Sequence, residues 1–307
     1  MEDYPQTLME FESRFLTEEA CLDYLARVRW PDGFVCPNCD GRKAWRTERS
    51  LFHCARCGRQ VSVTAGTVFQ GTRKPLRVWF HAMWWVTNQK NGASAQGLQQ
   101  NLGLASYQTA WTWLHKLRRA MVRPGRDRLS GHVEVDETYV GGREKVPGRG
   151  AKNKVLVAIA VEKKGRQLGR VRMAVVADGS RDELCGFVQA CVEPGSTVRT
   201  DGWQGYRDLK NRGYTHDRVL QQRSSQDPSE LLPAVHRVAS LLKRWLLGTH
   251  QGAVSAAHLP YYLDEYTFRF NRRKSKSRGK LFYRLVEQAV AIEPTSYKKI
   301  VHQNHNI

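Results

Sequence analysis

Four of the chain's seven cysteines stand in two tight pairs, Cys36 with Cys39 and Cys54 with Cys57, with two residues inside each pair and fourteen between the pairs. Two intervening residues let both thiolates of a pair reach one tetrahedral ion, so the four together predict a structural Zn²⁺ site. Gly41 and Gly58 follow the pairs and suit the tight turns that aim amide N–H groups at sulfur. A ribbon of this size buries little apolar surface, and residues 31–74 are therefore expected to need the metal to fold. Cys21, Cys185 and Cys191 stand apart on apparent helices, which is metal-site usage and not a disulfide framework.

Charge narrows the partner. Lys and Arg number 49 against 29 Asp and Glu, a formal charge of +20, and the simplest partner for such a surface is a phosphate-rich one, double-stranded DNA. In the ribbon, Arg42, Arg46, Arg49, Arg56 and Arg59 are candidates for phosphate contacts. Ahead of it, residues 1–30 hold a helix that Thr17 can cap and that Pro31 and Gly33 stop. Residues 75–125 follow with a tryptophan-rich, helical pattern of three helices. The last two, broken at Gly103 and resuming near Ser106, have the form of a helix-turn-helix. Tyr107, Gln108 and Thr109 would face base edges, and Lys116, Arg118 and Arg119 would reach phosphates. Trp79, Trp84, Trp85, Trp111 and Trp113 recur at helical spacing and are expected in the core.

After a basic linker the periodicity changes to that of strands. Residues 131–290 predict three consecutive strands, a helix capped by Ser180, a fourth strand ending at Asp201, a helix from Trp203 to Gly213, a fifth strand near Thr215, and helices opening near Pro233 and Ser255. Residues 291–307 are a tail. This α/β order matches a ribonuclease-H-like mixed sheet flanked by helices, in which the first and fourth strands lie side by side. Asp136 and Asp201 can then share Mg²⁺ although 65 positions separate them in sequence. Alternation sends the adjacent Glu137 to the opposite face. No apolar run is long enough for a membrane span and the acidic N-terminus lacks an export pattern, so a cytoplasmic protein working at the nucleoid is expected.

The segments "VEVDETYVGGR", "TDGWQGY" and "VHRVASLLKRWLLGTHQGAVSAAHLPYYLDEYTFRFNRR", with the upstream ribbon, resemble insertion-sequence transposases of the ISXO class, a DDE-type group, from about Phe11 to Gln288. The resemblance implies an enzyme that binds the terminal repeats of its own element, cleaves there with Mg²⁺ or Mn²⁺, and joins the freed 3′ hydroxyls to target DNA. A homodimer or larger assembly on DNA follows from the need to pair two ends. Asp136 and Asp201 would take the first two ligand positions. In related transposases a lysine follows the third acid by seven positions; Lys243 is such a lysine here, and seven before it stands His236 in place of a glutamate. His236 is the expected third ligand by position, with Glu265 on the next helix as a competing carboxylate and Glu230 as a weaker one. Lys243, Arg244 and the run from Asn271, which carries six basic residues in ten including Arg272 and Arg273, are expected to hold phosphates. Two other functions are open to the same residues: a DNA-binding regulator with an inert catalytic domain, and a nuclease without strand transfer.

Overall fold

The computed structural model describes residues 2–123, 125–141, 154–219, 231–252 and 254–302, and the chain divides into two compact units. The first joins residues 1–123 to residues 274–302, and the second is the stretch between them.

The first unit opens with α1 (Leu8–Arg14) and α2 (Glu18–Arg29), each capped by a threonine hydroxyl that accepts an amide from the first turn, Thr7 from Glu10 and Thr17 from Ala20. The ribbon follows as three short antiparallel strands, β1 (Ala44–Arg46), β2 (Phe52–Cys54) and β3 (Gln60–Val61). Next come α3 (Leu76–Asn88), α4 (Ala95–Leu102) and α5 (Tyr107–Ala120). Gly103 ends α4 in the left-handed region at φ 59°, and the Ser106 hydroxyl caps α5. This is the helix-turn-helix arrangement the sequence predicts. Trp79, Trp84 and Trp113 are buried, and the rings of Trp79 and Trp113 stack with centroids 3.7 Å apart.

The helix α9 (Arg278–Ala291) belongs to this first unit. Its Phe282 ring enters an aromatic core with Phe11, Phe15, Phe80 and Trp84 at centroid distances of 5.3, 5.7, 5.6 and 5.9 Å. Gly279 permits the approach, because a Cβ there would fall 1.6 Å from the Pro5 carbonyl oxygen. The boundary expected at residue 290 therefore differs from the packing, in which α9 supplies apolar surface that the first unit lacks. A short α10 (Tyr297–His302) ends the described chain.

The second unit is a five-stranded sheet with helices on both faces. Its strands are β4 (His132–Val140), β5 (Val155–Lys164), β6 (Gln167–Val175), β7 (Thr197–Thr200) and β8 (Thr215–Arg218), in the order β6-β5-β4-β7-β8. The first three form an antiparallel meander, while β4, β7 and β8 run parallel. That order and direction make it a ribonuclease-H-like sheet. Val133, Val135, Ala158 and Ala160 face α6 (Arg181–Cys191), whereas Val157, Ile159 and Val161 face α7 (Pro233–His250) and α8 (Leu259–Asn271). Both faces of β5 are thus covered, which explains its unbroken apolar run.

Two segments depart from expectation. The stretch after Trp203 is a 3₁₀ helix limited to Gln204–Leu209, and Gly205 within it lies so close to the Gly179 carbonyl that a Cβ would sit 2.6 Å away. The basic run is also partly structural. Asn271 pairs through its carboxamide with both the N–H and the C=O of Val171, at 2.7 and 3.1 Å, and the Arg273 guanidinium donates to the Leu168 and Gly169 carbonyls. These groups occupy the free edge of β6.

Burial pushes the Asp264 carboxyl of α8 up to about 7, against the pull of Arg126. A raised folded-state pKa means stability that is full below the ordinary carboxylate value of 3.8 and is lost as pH rises through about 7. Asp264→Asn is expected to flatten this slope, so that its melting temperature exceeds the parent's at pH 8 by more than at pH 5. Equal differences at the two pH values, read by calorimetry, would count against a buried titrating carboxyl.

Candidate active site and zinc centre

The ribbon cysteines converge. Their sulfurs lie within 4.8 Å of one another, with Cys36 to Cys57 and Cys39 to Cys54 both at 3.6 Å. A tetrahedron with Zn–S near about 2.3 Å has sulfur–sulfur edges of about 3.8 Å, so the donors fit Zn²⁺. Each pair is shaped by a turn: Asp40 N–H donates to the Cys36 carbonyl at 2.9 Å and Gly58 N–H to the Cys54 carbonyl at 3.0 Å. The Arg59 amide, followed by neighbouring thiols, holds the Cys57 thiol down at about 6, favouring the ligating thiolate. Gly41 is confined by the sulfurs themselves, since a Cβ would meet those of Cys54 and Cys39 at 3.2 and 3.3 Å. Two of the ribbon arginines brace these turns: Arg56 donates to the Cys39 carbonyl at 3.0 Å and Arg59 to the Asn38 side chain at 3.1 Å. Arg46 pairs with Asp23 of α2.

In the second unit, parallel pairing of β4 with β7 matches Glu134 to Arg199. Continued by two residues, one past the end of β7, that register puts Asp136 level with Asp201, whose charge acts on it. The turn after β7 is set by its own side chains: Thr200 Oγ1 accepts from Gly202 N–H at 3.2 Å, and Asp201 Oδ1 accepts from Trp203 N–H at 2.9 Å. Trp203 is 47% exposed and its ring N–H donates to the Gly179 carbonyl at 2.8 Å, so it supports the loop. On the α7 face, His236 Nε2 stands 3.7 Å from Asp136 Oδ2. Burial, with the Asp201 charge, pushes the Asp136 carboxyl up against the pull of the Glu137 amide and of His236.

Glu137 points to the opposite face, toward the fully buried Tyr206 hydroxyl, and burial pushes its carboxyl up to about 7. Glu265 is fully buried on α8, and its carboxylate lies 2.8 Å from Arg269 one turn on. Glu230 lies outside the described residues. Sequence reasoning missed Glu134, which is 1% exposed and shares the Asp136 face of β4. Alternation alone gave its direction, and nothing in the sequence named its partners.

The expected DNA contacts divide. Gln108 is exposed in the first turn of α5, and Lys243 and Arg244 are exposed on α7. Lys116 is half-buried, which draws its amine below the usual value. Arg118 is 2% exposed and lies 3.4 Å from the His115 ring, so it packs within the first unit instead of presenting charge to phosphate. Arg272 lies over the Phe268 ring at 4.1 Å and Arg273 over Phe270 at 4.0 Å, the latter on the sheet edge described above. Partial desolvation in the cleft, followed by the charge of Lys154, lowers the Lys243 amine, and both lysines line this cleft of about 820 Å³ with Tyr139 and Gly141 at the end of β4.

Residues 128–271 match the family described as an ISXO2-like transposase domain, and residues 16–60 match the transposase zinc-ribbon domain. Two stretches of the chain thus match transposase families. The chain is 29% identical over 277 residues to an uncharacterized protein in transposable element ISH50 of Halobacterium salinarum, covering 83% of this chain and 91% of the relative. A solved simian T-cell lymphotropic virus intasome, in complex with the PP2A regulatory subunit B56 gamma, aligns at 13% identity over 60% of this chain and 70% of its own, with a TM-score of 0.34. Among the described residues no helix is long and apolar enough to cross a membrane.

The purified protein is expected to carry about one Zn²⁺ per chain by metal analysis. Cys36→Ser or Cys54→Ser is expected to lose the ion and unfold the ribbon. Full metal content in both variants would exclude the tetrad.

Proposed function

We propose that the chain is a transposase that cleaves DNA at the ends of its own element and transfers the 3′ ends to target DNA, using Asp136, Asp201 and His236. The observation that carries the reading is the meeting of three elements at one point: Asp136 level with Asp201 across the parallel pair, and His236 beside Asp136 on α7. Whether these donors suit a divalent ion can be judged from Asp136, whose carboxyl is buried and repelled by Asp201, a strain that a cation would relieve. Carboxylates suit Mg²⁺, and an imidazole in the set shifts preference toward Mn²⁺. Such an ion, when bound, activates the attacking oxygen and neutralises the leaving oxygen of a phosphodiester.

The chain's own groups do the rest. The middle of β4 holds Asp136 and the turn just after β7 holds Asp201, and Trp203 with Gly179 keeps that turn in place. Lys243 and Arg244, about two turns beyond His236 on the same helix, offer phosphate contacts along the approach. The ribbon and the exposed first turn of α5 serve end recognition, and pairing of two ends calls for a dimer or larger assembly on DNA.

Asp136→Asn and Asp201→Asn are expected to reduce cleavage of a labelled end fragment to background while leaving end binding intact, because neither removes a phosphate donor. His236→Ala is expected to lower the rate by about 10- to 100-fold in Mg²⁺. Cleavage surviving either Asn change would remove the two-aspartate site. Cleavage without joined products would identify a nuclease, and binding without cleavage by the parent chain would identify a regulator.

A further inference from the structure

We propose that Glu134 is a positioning residue: it caps α7 from across the sheet and thereby sets His236 beside Asp136, an inference that rests on the proposed role of His236. α7 starts without local help. Its N-cap is Leu232, which makes no side-chain cap bond, Pro233 stands in the first turn, and no acidic side chain lies in that turn. The first amides must be satisfied from elsewhere, because buried backbone N–H groups without partners are costly.

Glu134 satisfies them. It is 1% exposed, and its Oε2 accepts from Ala234 N–H at 2.7 Å and from Val235 N–H at 3.1 Å. Lys163 of β5 balances the charge, its Nζ lying 3.0 Å from Oε1. A carboxylate bonded to two first-turn amides meets the positive end of the helix dipole as well as the open donors. The offsets on the two elements then coincide. Glu134 stands two residues before Asp136 on one face of β4, and its helix contacts stand two and one residues before His236. One side chain therefore ties the frame of one proposed ligand to the frame of the other. Misplacement of a reacting group by about 1 Å can cost about 100-fold in rate.

The test uses the full-length chain and two readouts. Hydrogen exchange of the peptide around residues 231–246, without added divalent ion, reports the cap. Single-turnover cleavage at saturating end DNA reports its consequence. Glu134→Ala is expected to speed exchange in the first turn of α7 by about tenfold and to lower cleavage by about 10- to 100-fold, with end binding unchanged. Glu134→Gln keeps an acceptor oxygen and is expected to recover most of both; Glu134→Asp, too short to reach both amides, carries the loss comparison if the alanine chain does not fold. In a His236→Ala background either change is expected to cost less than about threefold more, because coupled residues are not additive. Unchanged exchange, or the full loss repeated in the His236→Ala background, overturns the positioning role. Wild-type cleavage by His236→Ala alone, with exchange still accelerated in Glu134→Ala, overturns the ligand reading, and the positioning role goes with it while the cap stands.

Discussion

The parallel pairing of β4 with β7 is the constraint on which the site depends. A slip of one residue would turn every side chain of one strand to the other face, and Asp136 would then look away from Asp201. The register is held by apolar alternation: Val133 and Val135 of β4 and Val198 of β7 are all buried against α6. The acids are a minor part of the strands that place them. Their mutual repulsion is borne by the apolar core that holds this register.

Two kinds of helix start recur among the described residues. Helices opened by Thr7, Thr17, Ser94, Ser106, Ser180 and Ser277 are capped by the hydroxyl at their own N-terminus. α3 and α7, which open at Pro75 and Pro233, borrow a glutamate from elsewhere in their unit: Glu18 accepts from Leu76 and Arg77 N–H at the start of α3, as Glu134 accepts from Ala234 and Val235 N–H at α7. A hydroxyl cap fixes only the local chain. A borrowed carboxylate also fixes the helix against its neighbour, so α3 and α7 are oriented by hydrogen bonds as well as by packing.

The cysteine tetrad and the sheet order were legible because each is written in short-range spacing or in a period of two. The rest was not, for a common reason. Arg118, Arg273 and Glu265 are charged residues in runs that read as solvent-facing or reactive, yet each has a partner inside its own unit: His115 for the first, carbonyls of β6 for the second, Arg269 for the third. Charge in a sequence shows that a partner is needed and not where it lies. Glu134 is the converse case, a residue adjacent to the motif whose two amide partners stand 100 and 101 positions away. The 3₁₀ turn at Gln204–Leu209 escaped for a steric reason, since only the packed structure brings the Gly179 carbonyl against Gly205.

The placement of α9 bears on how the chain is made. Phe282 completes the aromatic core around Phe11, Phe15 and Phe80, and it is translated after all five strands of the sheet. The first unit to begin emerging from the ribosome is therefore the last to gain its whole core. During synthesis Phe11 and Phe80 wait with part of their packing surface uncovered while the second unit is still being extended. The whole sequence of the second unit is therefore available to fold before the last helix of the first has been made.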